Sequence, residues 1–365
     1  MGKVSKRSND PYVILAETLN LVPNGFPSVE DGTHLKVLKW IFKPEEALLA
    51  SKLKLPGETI KRLSKRLKMV ASELTERLDS MFKKGQVRVF RNKKGKHYAL
   101  LPFVPGIYED QINRNNPELV YLIEDYLKKS RGDIVFTSDP PIFRVIPVKQ
   151  AIKTDLKIHP YSEAATIILN AKSWGIRKCT CRVHQGLIGN RCEYPISVCI
   201  ETWNEENAFD FSNTTKPITM QEALDYLKEA EDAGLIHTSM NVASGHPYIC
   251  NCCTCCCNVF RAVHEFGRPN AFVKSDYTLS IDEDLCIGCG VCVDRCQLKL
   301  LEVKNDTCIV TESCIGCGVC VIGCSENALS LIPRNPKEIK RPPKNLIFWM
   351  LRRAFKRKIN PLKLI

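Results

Sequence analysis

The sequence lacks the features that mark several common protein classes. It has no uninterrupted apolar run of about 18 residues, so no transmembrane helix is expected. The first residues, Met-Gly-Lys-Val-Ser-Lys-Arg, lack the apolar stretch of a secretory signal, so export by that route is not expected. A glycine-rich dinucleotide fingerprint, a phosphate-binding P-loop and a His-Glu-x-x-His motif are also missing. Nucleotide chemistry and zinc-peptidase chemistry therefore have no support.

Cysteine, by contrast, is abundant, with 19 cysteines among 365 residues. Eight of them form two runs near the C-terminus, each with the spacing Cys-x2-Cys-x2-Cys-x3-Cys: Cys286, Cys289, Cys292, Cys296 and Cys314, Cys317, Cys320, Cys324. Two residues between ligands let a tight turn follow the corners of an iron–sulfur cubane. The sequence Ile-Gly-Cys-Gly-Val-Cys recurs in both runs, and its glycines tolerate the positive φ of such turns. The repeat predicts two [4Fe–4S] clusters.

Residues 279–332 resemble a bacterial two-cluster ferredoxin throughout. In that family the fourth cysteine of each run ligates the cluster of the other run. The resemblance implies two ligand sets: Cys286, Cys289, Cys292 with Cys324, and Cys314, Cys317, Cys320 with Cys296. Gln297 and Ser325 replace the proline that usually follows each fourth cysteine, which is expected to change local rigidity and potential but not ligation. Cys308 lies outside the spacing, in an alternating stretch that predicts a buried strand thiol.

Ten further cysteines lie in the middle region, roughly residues 106–272. They are Cys179, Cys181, Cys192, Cys199, Cys250, Cys252, Cys253, Cys255, Cys256 and Cys257. Thiolates this dense repel one another unless a metal neutralises them, so all ten are candidate metal ligands. Three interpretations stay open: a further iron–sulfur centre, a structural zinc site with four cysteine ligands, or a redox disulfide relay. Ten thiols exceed the needs of one cubane, so several are spare or serve a second centre.

Three other side chains flank these cysteine segments. His184 and His246 could be ligands, or could donate hydrogen bonds to ligands. Arg182 would either offset the charge of a cluster or face solvent. A short helix is expected over residues 258–267, with its N-terminus directed at the preceding sulfurs.

The net charge of +13 is concentrated at the two ends of the chain. Residues 1–105 carry 21 Lys and Arg against 10 Asp and Glu, residues 333–365 carry 11 against 1, and the residues between are acidic overall. Such asymmetry indicates charged partners rather than a particular fold.

Within the basic head, helical patterns precede two alternating stretches joined by a turn, and residues 31–102 resemble a winged helix-turn-helix domain. Nine basic side chains would suit phosphates: Lys61, Arg62, Lys65, Arg66, Lys68, Arg91, Lys93, Lys94 and Lys96. DNA binding and protein docking both stay open.

The basic tail reads as an extended linker over residues 333–343, followed by an apolar and basic helix from Leu346. This helix could lie on an anionic membrane surface or dock in the groove of a partner. Alternatively, Phe348, Trp349 and Leu351 could fold back onto the rest of the chain.

The sequence therefore predicts an α+β multidomain protein with four parts. These are a winged-helix-like basic domain (1–105), a cysteine-rich α/β middle domain (106–275), a ferredoxin-like domain with two [4Fe–4S] clusters (276–332) and a basic linker with an amphipathic tail (333–365). A Cys-x-Cys-Arg segment and a Cys-Cys-rich segment before a two-cluster module resemble poorly characterised iron–sulfur proteins of anaerobes. That resemblance implies a redox role and no particular substrate.

The leading functional hypothesis is a cytoplasmic electron-transfer protein, or the redox subunit of an oxidoreductase, with a redox protein as its partner. Peripheral contact with a membrane through the tail is a further expectation. One alternative is a redox-sensing regulator that binds DNA, and another is an oxidoreductase whose active site is the middle-domain metal centre.

Overall fold

The computed structural model describes residues 9–152, 159–311 and 314–360. The chain divides into two compact units: residues 1–139 together with 350–365, and residues 140–349. The four parts predicted from the sequence are a finer division and stay a prediction. Within the described residues, every helix is too short or too polar to cross a membrane.

The first unit is mainly helical. Its helices are α1 (Pro11–Leu21), α2 (Thr33–Ile41), α3 (Pro44–Ala50), α4 (Ile60–Leu67), α5 (Ala71–Lys83), α6 (Tyr108–Asp110) and α7 (Pro117–Ser130). Its strands are β1 (Glu58–Thr59), β2 (Arg88–Asn92) and β3 (Gly95–Ala99), which form an antiparallel sheet in the order β1-β3-β2. Helix α5 buries Leu74, Leu78 and Met81, whose spacing places them on one face, as the sequence pattern predicts.

The second unit is built on a seven-stranded mixed sheet in the order β10-β4-β8-β9-β6-β5-β7. Its strands are β4 (Phe143–Val145), β5 (Ser173–Arg177), β6 (Cys199–Trp203), β7 (Lys216–Ile218), β8 (Ile236–Met240), β9 (Tyr248–Cys252) and β10 (Phe272–Val273). Four helices accompany them: α8 (Ala164–Leu169), α9 (Thr180–Leu187), α10 (Met220–Asp232) and α11 (Asn258–His264). Helix α10 begins with a capping box, in which Thr219 and Glu222 satisfy each other's backbone N–H groups.

The ferredoxin-like segment belongs to the same unit. It comprises β11 (Tyr277–Ile281), α12 (Val291–Arg295), β12 (Leu301–Lys304), β13 (Thr307–Val310) and β14 (Leu329–Pro333). Strand β11 pairs with β14 and β12 with β13, both antiparallel. Cys308 lies in β13 with 2% of its surface exposed, which confirms the prediction of a buried strand thiol.

A buried ion pair fixes this segment to the sheet. Arg144 on β4 donates to Asp276 at 2.9 Å, and Tyr161 donates to the other oxygen of the same carboxylate at 2.8 Å. Arg144 also donates to Asn241 and to the backbone oxygen of Lys340. Because each charge has several partners, its desolvation is offset and the segment is held in one orientation.

Helix α13 (Leu346–Lys356) begins in the second unit and ends in the first. Trp349 is buried and donates its indole N–H to the oxygen of Pro141 at 3.0 Å. Arg353 is buried as well, among backbone oxygens that include those of Pro23 and Ser138. Of the apolar residues that could fold back, only Trp349 is enclosed, since Phe348 and Leu351 remain exposed.

Candidate metal centres

The eight cysteines of the two runs line two cavities. Three cysteines of the first run and one of the second line one cavity: Cys286, Cys289, Cys292 and Cys324. Three of the second run and one of the first line the other: Cys314, Cys317, Cys320 and Cys296. This is the grouping that ligand exchange between the two runs requires. Cys308 also lines the first cavity, although it lies outside the spacing of the runs.

Close backbone approaches explain the glycines of the two runs. Gly288 has φ +64°, and a Cβ there would lie 2.6 Å from the oxygen of Asp306. Gly316 has φ +71°, and a Cβ there would lie 2.0 Å from the oxygen of Tyr277. Only a residue without a side chain fits both the conformation and the space, so these loops can curve tightly around the cavities.

Backbone N–H groups point at several sulfurs of the two runs. Cys308 donates to Cys286 Sγ at 3.4 Å, and Leu300 donates to Cys296 Sγ at 3.4 Å. Gly316 donates to Cys314 Sγ at 3.3 Å. Hydrogen bonds to cluster sulfurs favour the more negative state and so raise the reduction potential of an iron–sulfur centre.

The ten middle cysteines, all with free thiols, separate into two sets. The first is called here the four-cysteine centre: Cys192, Cys253, Cys255 and Cys256. All four Sγ atoms lie within 4.8 Å of one another, and Cys256 Sγ lies 3.6 Å from that of Cys192 and 3.7 Å from that of Cys255. Cys253 and Cys256 are buried, whereas Cys255 is exposed.

The spacing of these four sulfurs suits a single tetrahedral ion. Zinc–sulfur bonds of about 2.3 Å in a tetrahedron place the sulfurs about 3.8 Å apart. A cubane attaches each thiolate to a different iron atom and needs a wider set of sulfurs. Tetrahedral S₄ sets hold zinc or iron, so the donors fit one such ion at the four-cysteine centre.

The other six cysteines form what is called here the six-cysteine ring: Cys179, Cys181, Cys199, Cys250, Cys252 and Cys257. Each thiol contacts two neighbours, and the contacts close a circle in the order 179, 181, 257, 252, 250, 199 and back to 179. Cys179, Cys252 and Cys257 are buried, and the other three are half-buried.

Secondary structure brings the ring together. Cys250 and Cys252 are two residues apart on β9, so their side chains lie on the same face of the sheet. Cys199 begins the neighbouring strand β6. Cys179 is the N-cap of α9, and Cys257 is the N-cap of α11, which ends at His264 rather than at the expected Gly267.

A network of polar side chains fixes strand β9 between the ring cysteines. Asn251 donates to the oxygen of Val198 at 2.6 Å, and its side-chain oxygen lies 2.6 Å from His237 Nδ1. His237 Nε2 lies 3.3 Å from Glu231. Asn251, His237 and Val198 are essentially inaccessible to water, so this network gives β9 little freedom to shift.

Arg182 lies between the two cysteine sets and is 4% exposed. Its guanidinium donates to Cys253 Sγ at 3.5 Å and twice to the oxygen of Asn251 at 3.1 Å. Burial alone would lower the pKa of Arg182, but the nearby thiols of Cys179 and Cys253 raise it above its usual value. Of the two roles that the sequence left open, the structure favours charge compensation over solvent exposure.

The two histidines flanking the cysteine segments are both outside the four-cysteine centre. His246 Nδ1 lies 2.9 Å from Ser239 Oγ, and burial together with Arg144 lowers the pKa of His246 to about 4. Burial also lowers the pKa of His184, on α9, to about 4. Both imidazoles are neutral near pH 7.

A link that sequence reasoning missed joins the four-cysteine centre to the end of the first run, whose last cysteine, Cys296, lines the second cavity. Thr254, between Cys253 and Cys255, donates its N–H to Gln297 Oε1 at 2.9 Å and its hydroxyl to the Gln297 backbone oxygen at 3.1 Å. Gln297 Nε2 donates in turn to the oxygen of Gly234. Gln297 directly follows Cys296, and the one signal in the sequence was the missing proline at that position.

Comparison with known protein families gives one match in this part of the chain. A 4Fe-4S binding domain model, Fer4, matches residues 279–298, which contain the first cysteine run. No curated protein and no solved structure matches the chain. The chain thus contains a 4Fe-4S binding domain near its C-terminus, which implies a [4Fe–4S] cluster, and a cysteine group in the middle that could bind a metal.

Proposed function

We propose that this chain is an iron–sulfur electron-transfer protein, or the redox subunit of an oxidoreductase, with two [4Fe–4S] clusters in its C-terminal segment. One observation carries the proposal: each of two cavities is lined by four cysteines, three from one run and one from the other. A [4Fe–4S] cluster supplies one-electron transfer when bound. The first cavity would be held by Cys286, Cys289, Cys292 and Cys324, and the second by Cys314, Cys317, Cys320 and Cys296.

The surroundings of the two cavities support a carrier. Cys289 and Ile287 beside the first cavity are exposed, so a redox partner can approach it. The second cavity is connected through Gln297 and Thr254 to the four-cysteine centre. Electrons would exchange with a partner at the exposed edge, and the Gln297–Thr254 contact sets the position of the second cavity relative to the middle cysteines.

Iron, sulfide and zinc per chain, with EPR of the reduced protein, test this proposal on anaerobically purified full-length protein. We expect about eight irons from the two cavities. Cys289→Ser and Cys317→Ser should each remove the signal of a different cluster. Cys255→Ser is the matched control, because it lies outside both cavities and should leave both signals unchanged. A wild-type protein without a [4Fe–4S] signal would overturn the proposal.

We also propose that the basic head is a winged-helix domain that docks a protein partner rather than reads DNA. Its order of helix, strand, two helices and hairpin supports the winged helix. In winged helices the helix before the hairpin enters the major groove, but here that helix, α5, exposes Glu73 and Glu76 towards solvent. Glu73 pairs with Arg77 on the same helix at 2.5 Å, so Glu76 is the acidic side chain that most opposes binding to phosphates.

Ion pairs further reduce the free positive charge of the head. Arg66 pairs with Glu58, and Lys96 pairs with Asp79 at 2.5 Å. The remaining basic side chains are exposed on α4 and on the hairpin. Binding to random-sequence duplexes across a salt series separates the two roles. We expect weak binding with no sequence preference, whereas tight binding to the promoter of its own gene that depends on redox state would favour the regulator.

A further inference from the structure

The six-cysteine ring has no role in the proposal above. Its members come from four separate elements: the start of α9, the first residue of β6, strand β9 and the cap of α11. The sequence separation between Cys179 and Cys257 means that the fold, rather than local sequence, brings these thiols into contact. The ring is thus a product of the tertiary structure of the second unit.

Ordinary core packing does not account for the ring. Buried cysteines usually behave as small apolar side chains among other apolar side chains. Here each thiol contacts two other thiols, and polar or charged groups border the ring. Thr238 Oγ1 lies 3.5 Å from Cys252 Sγ, and the backbone N–H groups of Arg182 and Val259 donate to the sulfurs of Cys179 and Cys257. Donors directed at sulfur are the environment that thiolate ligands require.

A single metal ion would not use all six thiols of the ring. A tetrahedral zinc or iron ion takes four thiolates, so a single ion would leave two thiols without metal. Two ions that share six thiolates, two of them bridging, use every sulfur, as Zn₂Cys₆ modules do. Charge favours the same count, because two divalent ions and the Arg182 guanidinium nearly balance six thiolates, while one ion leaves a large uncompensated charge.

We propose that the six-cysteine ring holds a polynuclear metal–thiolate centre of iron or zinc, separate from the four-cysteine centre and from the two cavities of the C-terminal segment. The two middle centres are then adjacent to each other. Arg182 donates from its guanidinium to Cys253 of one set and from its backbone N–H to Cys179 of the other. Cys252 and Cys253 are consecutive residues that serve different centres.

Additivity of metal loss tests whether there are two centres. The variants are Cys199→Ser in the ring, Cys255→Ser in the four-cysteine centre and the double variant, each purified anaerobically as the full chain. Iron, zinc and sulfide are counted per chain, and EPR of the C-terminal clusters reports whether each variant is folded. We expect Cys199→Ser to lose two or more ions, Cys255→Ser to lose one, and the double variant to lose the sum.

If both single variants lose the same ions and the double variant loses no more, the ten cysteines form one centre and the proposal is wrong. Iron with sulfide in the ions that Cys199→Ser loses identifies an iron–sulfur cluster, whereas zinc alone identifies a Zn₂Cys₆-type site. Retention of the EPR signals in every variant separates this proposal from that for the C-terminal clusters.

Alkylation of the wild-type protein provides a test that needs no variant. Native protein is treated with iodoacetamide with and without prior chelation, and the modified cysteines are mapped by mass spectrometry. We expect the six ring cysteines to be protected until the metal is removed and then to react together. Reaction of the ring cysteines while all metal is retained would overturn the proposal, as would three disulfides that form without metal.

Discussion

Thr254 and Gln297 form two hydrogen bonds across 43 residues of sequence. Thr254 separates two ligands of the four-cysteine centre, and Gln297 follows the cysteine that crosses from the first run to the second cavity. Ferredoxins usually carry proline at the position of Gln297, and proline has neither the side-chain oxygen nor the amide N–H₂ used here. Gln297 thus attaches the middle cysteines to the ferredoxin-like segment through contacts that a proline could not make.

Replacing Gln297 by Ala should therefore weaken metal binding at the four-cysteine centre. The Thr254 N–H loses its side-chain acceptor, and a hydrogen bond of about 1 kcal/mol corresponds to about a fivefold faster loss of metal. The measurement is the rate of metal transfer to a chelator. Ser325→Ala is the matched control, because Ser325 occupies the equivalent position after Cys324 and bonds only to its neighbour Glu326 among the described contacts. Equal rates in both variants would show that the Gln297 contact does not support the centre.

A second prediction concerns the cation between the two cysteine sets. Arg182→Met keeps much of the side-chain volume but removes the charge and the hydrogen bond to Cys253. Loss of such a supporting group typically weakens metal binding about 10–100-fold. Arg182→Lys keeps the charge, so its metal retention should lie between that of the wild type and that of Arg182→Met. The readout is metal retention against a chelator series.

Arg177→Met serves as the control for that experiment. Arg177 lies on strand β5, and its guanidinium pairs with Glu201 at 2.9 Å, so its charge has a carboxylate partner. It should change metal retention little. If Arg182→Met retained metal as well as Arg177→Met does, the charge of Arg182 would have no part in stabilising the thiolates.

Cys252 and Cys253 are adjacent in sequence, but the structure divides them between the two cysteine sets. The spacing of the two runs predicted the three cysteines that each tight turn brings together, and the resemblance to two-cluster ferredoxins implied the fourth cysteine of each set. The ten middle cysteines gave no such rule. Strand β9 ends at Cys252, so alternation places Cys250 and Cys252 on one face, while the following turn carries Cys253 and Cys255 elsewhere. The residue at which β9 ends decides which cysteines join which set. Sequence patterns rarely locate the end of a strand to a single residue.

For the fold as well, features set by nearby residues were predicted from the sequence, and features set by distant residues were not. Amphipathic spacing predicted helix α5 in the basic head, because that signal acts within one or two turns. The order of the seven-stranded sheet could not be predicted, since it depends on pairings such as that of β6 with β9, which are distant in sequence. The burial of Arg182 depends on the same long-range contacts, so it could not be predicted from the sequence either.

Acid should destabilise the second unit partly through His246. Burial, with a contribution from Arg144, lowers the pKa of this imidazole to about 4 in the folded protein, against about 6.5 when unfolded. Between these values the unfolded chain binds more protons, so the stabilisation is complete above about pH 6.5 and is lost as the pH falls towards 4. At about 1.4 kcal/mol per pKa unit, the loss approaches about 3 kcal/mol.

The variant His246→Asn tests this pH dependence. Asn retains a polar atom near the Ser239 hydroxyl but does not titrate, so the fall in unfolding free energy between pH 7 and pH 5 should be smaller than in the wild type. Denaturant unfolding at each pH measures the difference. His264→Asn, at an exposed position, is the control and should keep the wild-type pH dependence. An unchanged slope in His246→Asn would assign the acid sensitivity to other groups.

The last prediction concerns helix α13, which exposes four apolar side chains while Trp349 is buried. Ile347, Phe348, Leu351 and Phe355 are 61%, 54%, 44% and 80% exposed. Arg352 and Lys356 are exposed on the same helix, which gives it the apolar and basic character of a segment that lies on an anionic membrane surface. We expect the protein to sediment with vesicles that contain phosphatidylserine, and less so as salt increases.

Phe348→Ser combined with Phe355→Ser should reduce vesicle binding about tenfold or more, because each exposed aromatic contributes on the order of 1–3 kcal/mol on burial. The melting temperature should change little, since neither side chain is in the core. Leu169→Ser, an exposed apolar residue at the end of α8, is the control and should bind vesicles as the wild type does. Equal binding to neutral and anionic vesicles would show that the basic side chains do not contribute to membrane binding. A wild-type protein that stays in the supernatant with both would instead assign the exposed face to a protein partner, because the same apolar side chains suit a hydrophobic groove.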